Sequence, residues 1–452
     1  MNQQEIYSRK LVNDAGLIGL VTDGCTIATG AGSGLPNRFL QLLARDAKKF
    51  TDVRLCHAMR RESMPIEPEL MSAENEGHIF HVSDFSFDRP VIDAVREGRA
   101  VYRPNHPTDT ARFFPYDIDV LVVTASSMDK HGFFSLGAFG GWTHDLFPKA
   151  KKIVLEVNPN QPRMHGNCVV HVRDVTAVFE AEYPMPLFEI SGAVSTDEEK
   201  AVAKHVAGIV RDGATLQIGV GQIPDAILKN LHAMGLKDLG IHSEALFDSV
   251  VSLYEAGVVT NARKTIHKNK FVCTLGIGSQ KIYDFLDDNP AVEMHRIAYV
   301  ADPRVFSQNY RPFSINATIQ VDLSGQCASE TIGHRHYSGV GGQWNFHYGA
   351  TLGEEGCGVM TLLSTAKGGT VSRIVPMLPM GSAVSISRND IQYVATEFGI
   401  VNLKGCTLEE RALRLISIAH PNFRDELEKS AREELKVLTR RVYGSVLAQA
   451  VN

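Results

Sequence analysis

Two groups of residues in this chain have types and spacings that can do chemistry. The first is a carboxylate, Glu244, in the tripeptide His242-Ser-Glu244 at the end of the apolar run Leu239-Gly-Ile-His242. Its surroundings, Ile241 to Val251, are mostly apolar. A carboxylate there is costly unless it is paired or used, and a strand end is where an open α/β sheet delivers side chains into a ligand crevice. Glu244 is therefore either a nucleophile or a salt-bridge or cap residue. The second group is a pair of glycine turns, Gly219-Val220-Gly221-Gln222-Ile223 and Gly339-Val-Gly341-Gly342-Gln343. The first ends an apolar strand and feeds a helix, which presents backbone N–H groups and a positive dipole end to an anion and so suits a ligand carrying phosphates. A tight strand-to-helix turn needs the same glycines. The second turn can bring the N–H groups of Gly341 and Gly342 close to a developing oxyanion, or it is a sharp bend. The amides of Gln343 and Gln326 can assist an oxyanion or be ordinary turn residues.

Other chemistries find less support. Pro224 stands where a third glycine of the dinucleotide fingerprint belongs, and no acidic residue follows at the right remove, so a Rossmann NAD site is not indicated. His334-x-His336, with His347 further on, lacks the closely spaced Cys, Asp or Glu that would complete a zinc site, and no metal is expected. No Gly-x-Ser-x-Gly elbow occurs, which disfavours Ser-His-Asp hydrolysis. Lys367, in Ala-Lys-Gly-Gly369, either meets a ligand phosphate or carries a solvated charge.

The elements that must position these residues occur twice. Asp23-Gly-Cys-Thr-Ile-Ala-Thr-Gly-Ala-Gly-Ser-Gly-Leu-Pro36 and Asp212-Gly-Ala-Thr-Leu-Gln-Ile-Gly-Val-Gly-Gln-Ile-Pro224 start 189 residues apart. Both read as an Asp-Gly turn, a short apolar strand, Gly-x-Gly, and a proline opening an apolar-periodic helix, over Asn37 to Ala47 and Asp225 to Ala233. Val53-Arg-Leu-Cys-His57 then corresponds to Leu239-Gly-Ile-His242. There the copies diverge, His57 being followed by Ala58 and Met59, His242 by Ser243 and Glu244. Only one half of a duplication needs the nucleophile. A helix precedes each copy, and Thr196-Asp-Glu-Glu199 has the spacing of a capping box. Strands expected at Val120 to Thr124, Lys152 to Val157, Phe271 to Leu275 and Ile391 to Ala395 alternate with helices. The fold class is therefore α/β, with two similar open, mainly parallel-sheet domains related by duplication. The junction falls near Tyr183 to Ser195, giving domains 1–188 and 189–452.

Bulk properties agree with two soluble α/β domains. At 452 residues the chain exceeds one ordinary core, and its 44% hydrophobic and 21% charged residues are those of a globular protein. A net charge of −5 without a basic block argues against nucleic acid and polybasic membrane contact. The N-terminal MNQQEIYSRKL lacks a signal-peptide core and no run approaches the roughly 18 apolar residues of a membrane span, so a cytoplasmic location is expected. Seven dispersed cysteines without a CxxC pair read as reduced, mostly core thiols. The sequence leaves a homo-oligomer open.

Taken in order, the segments resemble the acetyl-CoA hydrolase/transferase family, nearest its butyryl-CoA and 4-hydroxybutyrate CoA-transferases. The resemblance is carried by Leu216-Gln-Ile-Gly-Val-Gly-Gln-Ile-Pro224, His242-Ser-Glu244, Ile319-Gln-Val-Asp-Leu-Ser-Gly-Gln326, Gly339-Val-Gly-Gly-Gln343, Thr396-Glu-Phe-Gly-Ile-Val-Asn-Leu-Lys-Gly405 and Ile418-Ala-His-Pro-Asn-Phe-Arg424. In the first half Asp129-Lys-His-Gly-Phe-Phe-Ser-Leu-Gly137 is similar to the family's version of that region. It implies a CoA-transferase-like fold in which Glu244 forms a glutamyl-CoA thioester. Gly219, Val220, Gly221, Gln222 and Ile223 would then contact CoA, with Ile319, Gly341 and Lys367 along its path. The partners implied are acyl-CoA and small carboxylic acids, with CoA as substrate and no cofactor. Trp344 and Asn345 depart from the small residue and Asp that commonly follow Gly-Gly-Gln in the family, which bears on the acyl pocket. The alternatives are an acyl-CoA hydrolase of the same fold and a non-catalytic acyl-CoA-binding protein.

Overall fold

Short runs rich in β-branched residues, closed by Asp-Gly and glycine turns, form the strands of two sheets. The computed structural model describes residues 2–57, 68–84, 89–188 and 195–438. The chain divides into two compact units, Met1–Glu189 with Ser243–Asp248 and Lys270–Ala301, and Ile190–His242 with Ser249–Asn269 and Asp302–Asn452. The first unit thus recruits two stretches from the second half of the chain, and one of them contains Glu244.

Unit 1 is built on a seven-stranded sheet. Its strands are β1 (Thr26–Thr29), β2 (Val53–His57), β3 (Ile79–Ser83), β4 (Ala100–Tyr102), β5 (Ile118–Ala125), β6 (Ala150–Val157) and β7 (Ala177–Glu180), in the order β7-β6-β5-β1-β2-β3-β4. Every neighbouring pair is parallel. Leu121, Val123, Leu155 and Val178 belong to one buried cluster with Phe134 and Leu136. Helix α1 (Gln3–Lys10) precedes the first repeat, and α2 (Asn37–Asp46) follows the glycine turn after β1.

Unit 2 repeats this plan. Helix α3 (Asp197–Ala207) leads in, with the expected capping box closed in both directions, Glu199 N–H to Thr196 Oγ1 at 3.2 Å and Thr196 N–H to Glu199 Oε2 at 2.9 Å. Strands β8 (Thr215–Ile218), β9 (Gly240–Ile241), β10 (Pro312–Ala317), β11 (Cys357–Thr361), β12 (Tyr393–Thr396) and β13 (Gly399–Asn402) run in the order β9-β8-β10-β11-β12-β13. All pairings are parallel except the β12–β13 hairpin. Read outward from the strand before the glycine turn, β1-β5-β6-β7 in unit 1 matches β8-β10-β11-β12 in unit 2, and β2 matches β9. The registers agree. Ile27 faces Val120 and Val120 faces Lys152, as Leu216 faces Phe313 and Phe313 faces Cys357.

Several boundaries differ from the sequence expectation for physical reasons. The helix expected from Asp225 starts at Gln222 (α4, Gln222–Ala233), since a proline in the first turn removes only an N–H that has no intrahelical partner. The strand expected over Phe271 to Leu275 is two strands, because the chain changes partner at Thr274. Phe271–Cys273 pairs with Val292–Met294, and Leu275–Gly276 pairs with Ala245–Leu246. The last expected strand begins at Tyr393, while Ile391 packs into the apolar cluster of unit 2 with Leu403 and Leu415. Ala58, Met59 and residues 189–194 of the junction lie outside the described residues. Five of the seven cysteines are buried and all are free thiols. Among the described residues no helix is long and apolar enough to cross a membrane.

Candidate active site

In unit 2 the first glycine turn leaves β8 and enters α4 within three residues. Gly219 donates its N–H to Ile315 O on β10 at 2.8 Å, and a Cβ on Gly219 would fall 2.9 Å from Asn316 Oδ1, so a larger residue would push the turn off the sheet. Gly221, at φ 148°, is the N-cap of α4 and makes no side-chain cap. Gly219, Val220, Gly221 and Ile223 are partly buried and Gln222 is exposed. Among the described residues the helix therefore opens with unpaired N–H groups beside glycine, the arrangement that attracts an anion.

The second glycine loop reaches the carboxyl end of β10, next to β8 in the same sheet. Gly341, at φ 59°, and the N-cap Gly342 lead into α5 (Gln343–Leu352), which also begins without a side-chain cap. Both glycines are buried, and among the described residues neither N–H has an acceptor. Gln343 fixes the loop: Nε2 donates to Ala317 O at the end of β10 at 2.6 Å, and Oε1 accepts the Ser329 hydroxyl at 2.8 Å. Ile319 follows the same strand and gives its N–H to Ala328 O at 3.1 Å. The structure thus gathers Gly219–Ile223, Ile319 and Gly341–Gln343 at the carboxyl end of β10. Gln326 goes elsewhere, its amide donating to Asp322 Oδ2 at 2.8 Å within a turn. Lys367 sits on the exposed tip of the hairpin Thr365–Ala366 to Val371–Ser372, at φ 51°, and among the described residues is not hydrogen-bonded to either glycine loop.

Glu244 lies in unit 1. His242 ends the unit 2 portion, buried, with Nδ1 3.2 Å from the Asn309 amide nitrogen and its ring edge-on to Phe306. One residue on, Ser243 N–H donates to Val272 O at 3.0 Å, and Glu244 forms a bend before Ala245–Leu246 joins Leu275–Gly276. The Glu244 carbonyl accepts from Thr274 N–H at 2.9 Å, Leu275 N–H at 3.1 Å and the Thr274 hydroxyl at 2.8 Å. Its side chain is partly buried, followed by buried Ala245, Leu246 and Phe247.

His334 is exposed, whereas His347 is buried on α5, accepts the Gln392 N–H at 3.2 Å, and is pushed by burial to a pKa of about 4. Trp344 stacks on Tyr348 with ring centroids 5.1 Å apart and donates its indole N–H to Asp390 at 3.0 Å, so the departure from the family pattern is held in one orientation.

A buried carboxylate on β6 escaped the sequence reading. Glu156 is fully buried and accepts the Arg38 and Phe39 N–H groups at the start of α2, at 3.1 and 2.8 Å, and the Tyr183 hydroxyl at 2.8 Å. Burial, outweighing these donors, raises its pKa to about 7. Through the matched registers, Glu156 facing Thr124 corresponds to Thr361 facing Ala317, and Thr361 turns its hydroxyl to Asn316 O at 3.1 Å. Unit 1 closes its helix N-terminus with its own carboxylate, whereas in unit 2, among the described residues, no side chain caps the α4 terminus, and Asp225 in its first turn pairs with Lys229 at 2.7 Å instead. The signal was present, an acid inside the apolar run Ile153-Val-Leu-Glu-Val157. A cavity of about 1090 Å³ opens in unit 1 beside Arg38 and Tyr183, but none of the candidate site residues read from the sequence lines it.

Comparison with known proteins extends over nearly the whole chain. Residues 1–204 match the acetyl-CoA hydrolase/transferase N-terminal domain and residues 278–431 the acetyl-CoA hydrolase/transferase C-terminal domain. The chain is 37% identical over 428 residues to the succinyl-CoA:cyclohexane-1-carboxylate CoA transferase of Geobacter metallireducens, covering 94% of this chain and 96% of that one. It is 38% identical over 430 residues to the 4-hydroxybutyrate coenzyme A transferase of Clostridium kluyveri, covering 94% and 98%. Among solved structures it is similar to RipA from Yersinia pestis, with a TM-score of 0.89 and 33% identity over 97% of this chain and 100% of that one.

Proposed function

This chain belongs to the acetyl-CoA hydrolase/transferase family, and on that premise we propose that it is a CoA-transferase, moving CoA between short-chain acids such as butyrate or 4-hydroxybutyrate and acetate through Glu244. The ionised Glu244 carboxylate attacks the acyl-CoA carbonyl carbon, and collapse of the tetrahedral adduct expels CoA thiolate and leaves an acyl-glutamyl anhydride. The thiolate attacks the glutamyl carbonyl, releasing the acid as its carboxylate and leaving a glutamyl-CoA thioester. An acceptor carboxylate then runs the two steps in reverse. No electron changes hands and no water is consumed, so the chemistry needs no redox cofactor. Each step passes through an oxyanion, for which the Gly341 and Gly342 N–H groups are the proposed donors, a kind of contact worth about 3–4 kcal/mol. The CoA phosphates are assigned to Gly219–Ile223, with Ile319 and Lys367 as weaker candidates for its path.

The observation that carries this reading is the difference between the two copies of one strand plan. The α2 N-terminus is occupied by Glu156, whereas α4 begins at an uncapped glycine, which supports an anion site at the α4 terminus rather than at its α2 counterpart. Glu244→Gln tests the nucleophile. Exchange of butyryl-CoA with acetate should fall at least about 10⁴-fold, because the covalent route is lost, while calorimetric CoA affinity stays within about threefold. Substantial exchange by the variant would refute the assignment. Free CoA release by the unaltered protein at equal rate with and without acetate would make it a hydrolase.

A further inference from the structure

Glu244 is attached to unit 1 by its main chain, and two features of that attachment restrain it. A carbonyl oxygen has two lone pairs, and the N–H groups of Thr274 and Leu275 already occupy the Glu244 carbonyl. The Thr274 hydroxyl adds a third donor, at 2.8 Å, from a side chain with 0% exposure. Behind Thr274 stands Gly141, whose N–H donates to Thr274 O at 3.1 Å. A Cβ at Gly141 would lie 2.5 Å from His295 O and 2.7 Å from both Thr274 Cα and Cβ, contacts no real side chain makes, so only glycine admits this approach. His295 N–H bonds Cys273 O at 2.8 Å and closes the stack from the neighbouring strand. Thr274 is also the residue at which the strand changes partner, from Val292–Met294 to the segment that carries Glu244.

We propose that Thr274 is the positioning residue of Glu244. Its hydroxyl and N–H hold the Glu244 main chain from one side, and Gly141 prevents Thr274 from receding, so the carboxylate begins each attack from one orientation. This rests on Glu244 being the nucleophile. A nucleophile displaced by about 1 Å loses on the order of 100-fold in rate, and the loss falls on kcat because substrate contacts elsewhere are untouched.

The test uses the full chain with Thr274→Val, which keeps the shape and both N–H donors and removes only the hydroxyl, and with Thr274→Ser, which restores it. The readouts are kcat, KM for acyl-CoA, and the rate at which borohydride traps an adduct on the peptide containing Glu244. We expect Thr274→Val to lower kcat and trapping rate together by about 10- to 100-fold with KM within about twofold, and Thr274→Ser to return both to within about threefold of wild type. A folded Thr274→Val protein with wild-type kcat, or a loss that serine does not rescue, overturns the proposal. If the valine variant does not fold, Thr274→Ala against Thr274→Ser decides: a slower alanine enzyme supports positioning, and equal rates refute it. An adduct on another peptide of the wild-type protein removes the nucleophile assignment and this proposal together. An adduct on Glu244 with an unaffected valine variant removes this proposal alone.

Discussion

Replacing Glu156 by glutamine should remove a pH dependence from the stability of unit 1. The carboxyl group is fully buried and its pKa stands at about 7 against an ordinary 4.5, burial being the main cause and its hydrogen bonds to Phe39, Tyr183 and Arg38 opposing it. Between pH 4.5 and 7 the native state holds a proton that the unfolded chain has released. Proton binding is then greater in the native state, so stability falls as pH rises through this interval and levels off above it. At about 1.4 kcal/mol per pH unit the loss is roughly 3 kcal/mol. Glutamine is neutral throughout and its Oε1 can accept one of the two helix N–H groups, so it is about 1–3 kcal/mol less stable than the protonated acid but has no slope. The variant should therefore be the less stable protein at pH 4.5 and gain roughly 3 kcal/mol on the wild type by pH 7.5. The two tryptophans make this measurable. Trp142 is buried in unit 1 and Trp344 lies in unit 2, so in a Trp344→Phe background urea unfolding followed by indole fluorescence reports unit 1. A Glu-to-Gln difference constant to within about 1 kcal/mol from pH 4.5 to 7.5 would show that Glu156 stays ionised throughout, and would refute the assignment of burial as the dominant influence.

Unit 2 should behave in the opposite sense. His347 is held neutral by burial with a pKa of about 4 against 6.5, so its contribution is complete above pH 6.5 and is lost as pH falls towards 4, roughly 3 kcal/mol in all. His347→Gln, which keeps an acceptor for the Gln392 N–H, should flatten that loss when Trp344 fluorescence is followed in a Trp142→Phe background; an unchanged slope would contradict it. Gly221→Ala should raise the dissociation constant for CoA about tenfold by calorimetry, because alanine is strained by about 1–3 kcal/mol at φ 148° where the proposed phosphate contacts lie; unchanged affinity would place the phosphates elsewhere.

The two copies of the strand plan differ in what meets the helix that follows the glycine turn. Each ends its first strand in glycines and starts a helix there, and that helix terminus is positively polarised in both. In unit 1 the polarity is satisfied internally by Glu156. In unit 2 the corresponding strand position is Thr361, bonded to the neighbouring strand, and the α4 terminus begins without a side-chain cap.

Local chemistry was enough to read much of this molecule. The doubled Asp-Gly, strand and glycine-turn segment, the capping box at Thr196, the strand Val53–His57 and the helix from Asn37 all arise from residues within a few positions of one another, where turn, cap and periodicity preferences act. Glu244 stood out in the same way, as an acid in an apolar stretch. What the tertiary structure alone decided are pairings across long separations. Ser243–Asp248 leaves unit 2 for unit 1 because Val272, Thr274 and Leu275 offer it partners. The strand expected through Thr274 breaks there for the same reason, and the α2 terminus is closed by a carboxylate 117 residues away in sequence. Spacing along the chain records only what neighbouring residues prefer; these contacts exist because the folded sheets bring distant donors and acceptors within hydrogen-bond distance, at an entropic cost that only the assembled core offsets.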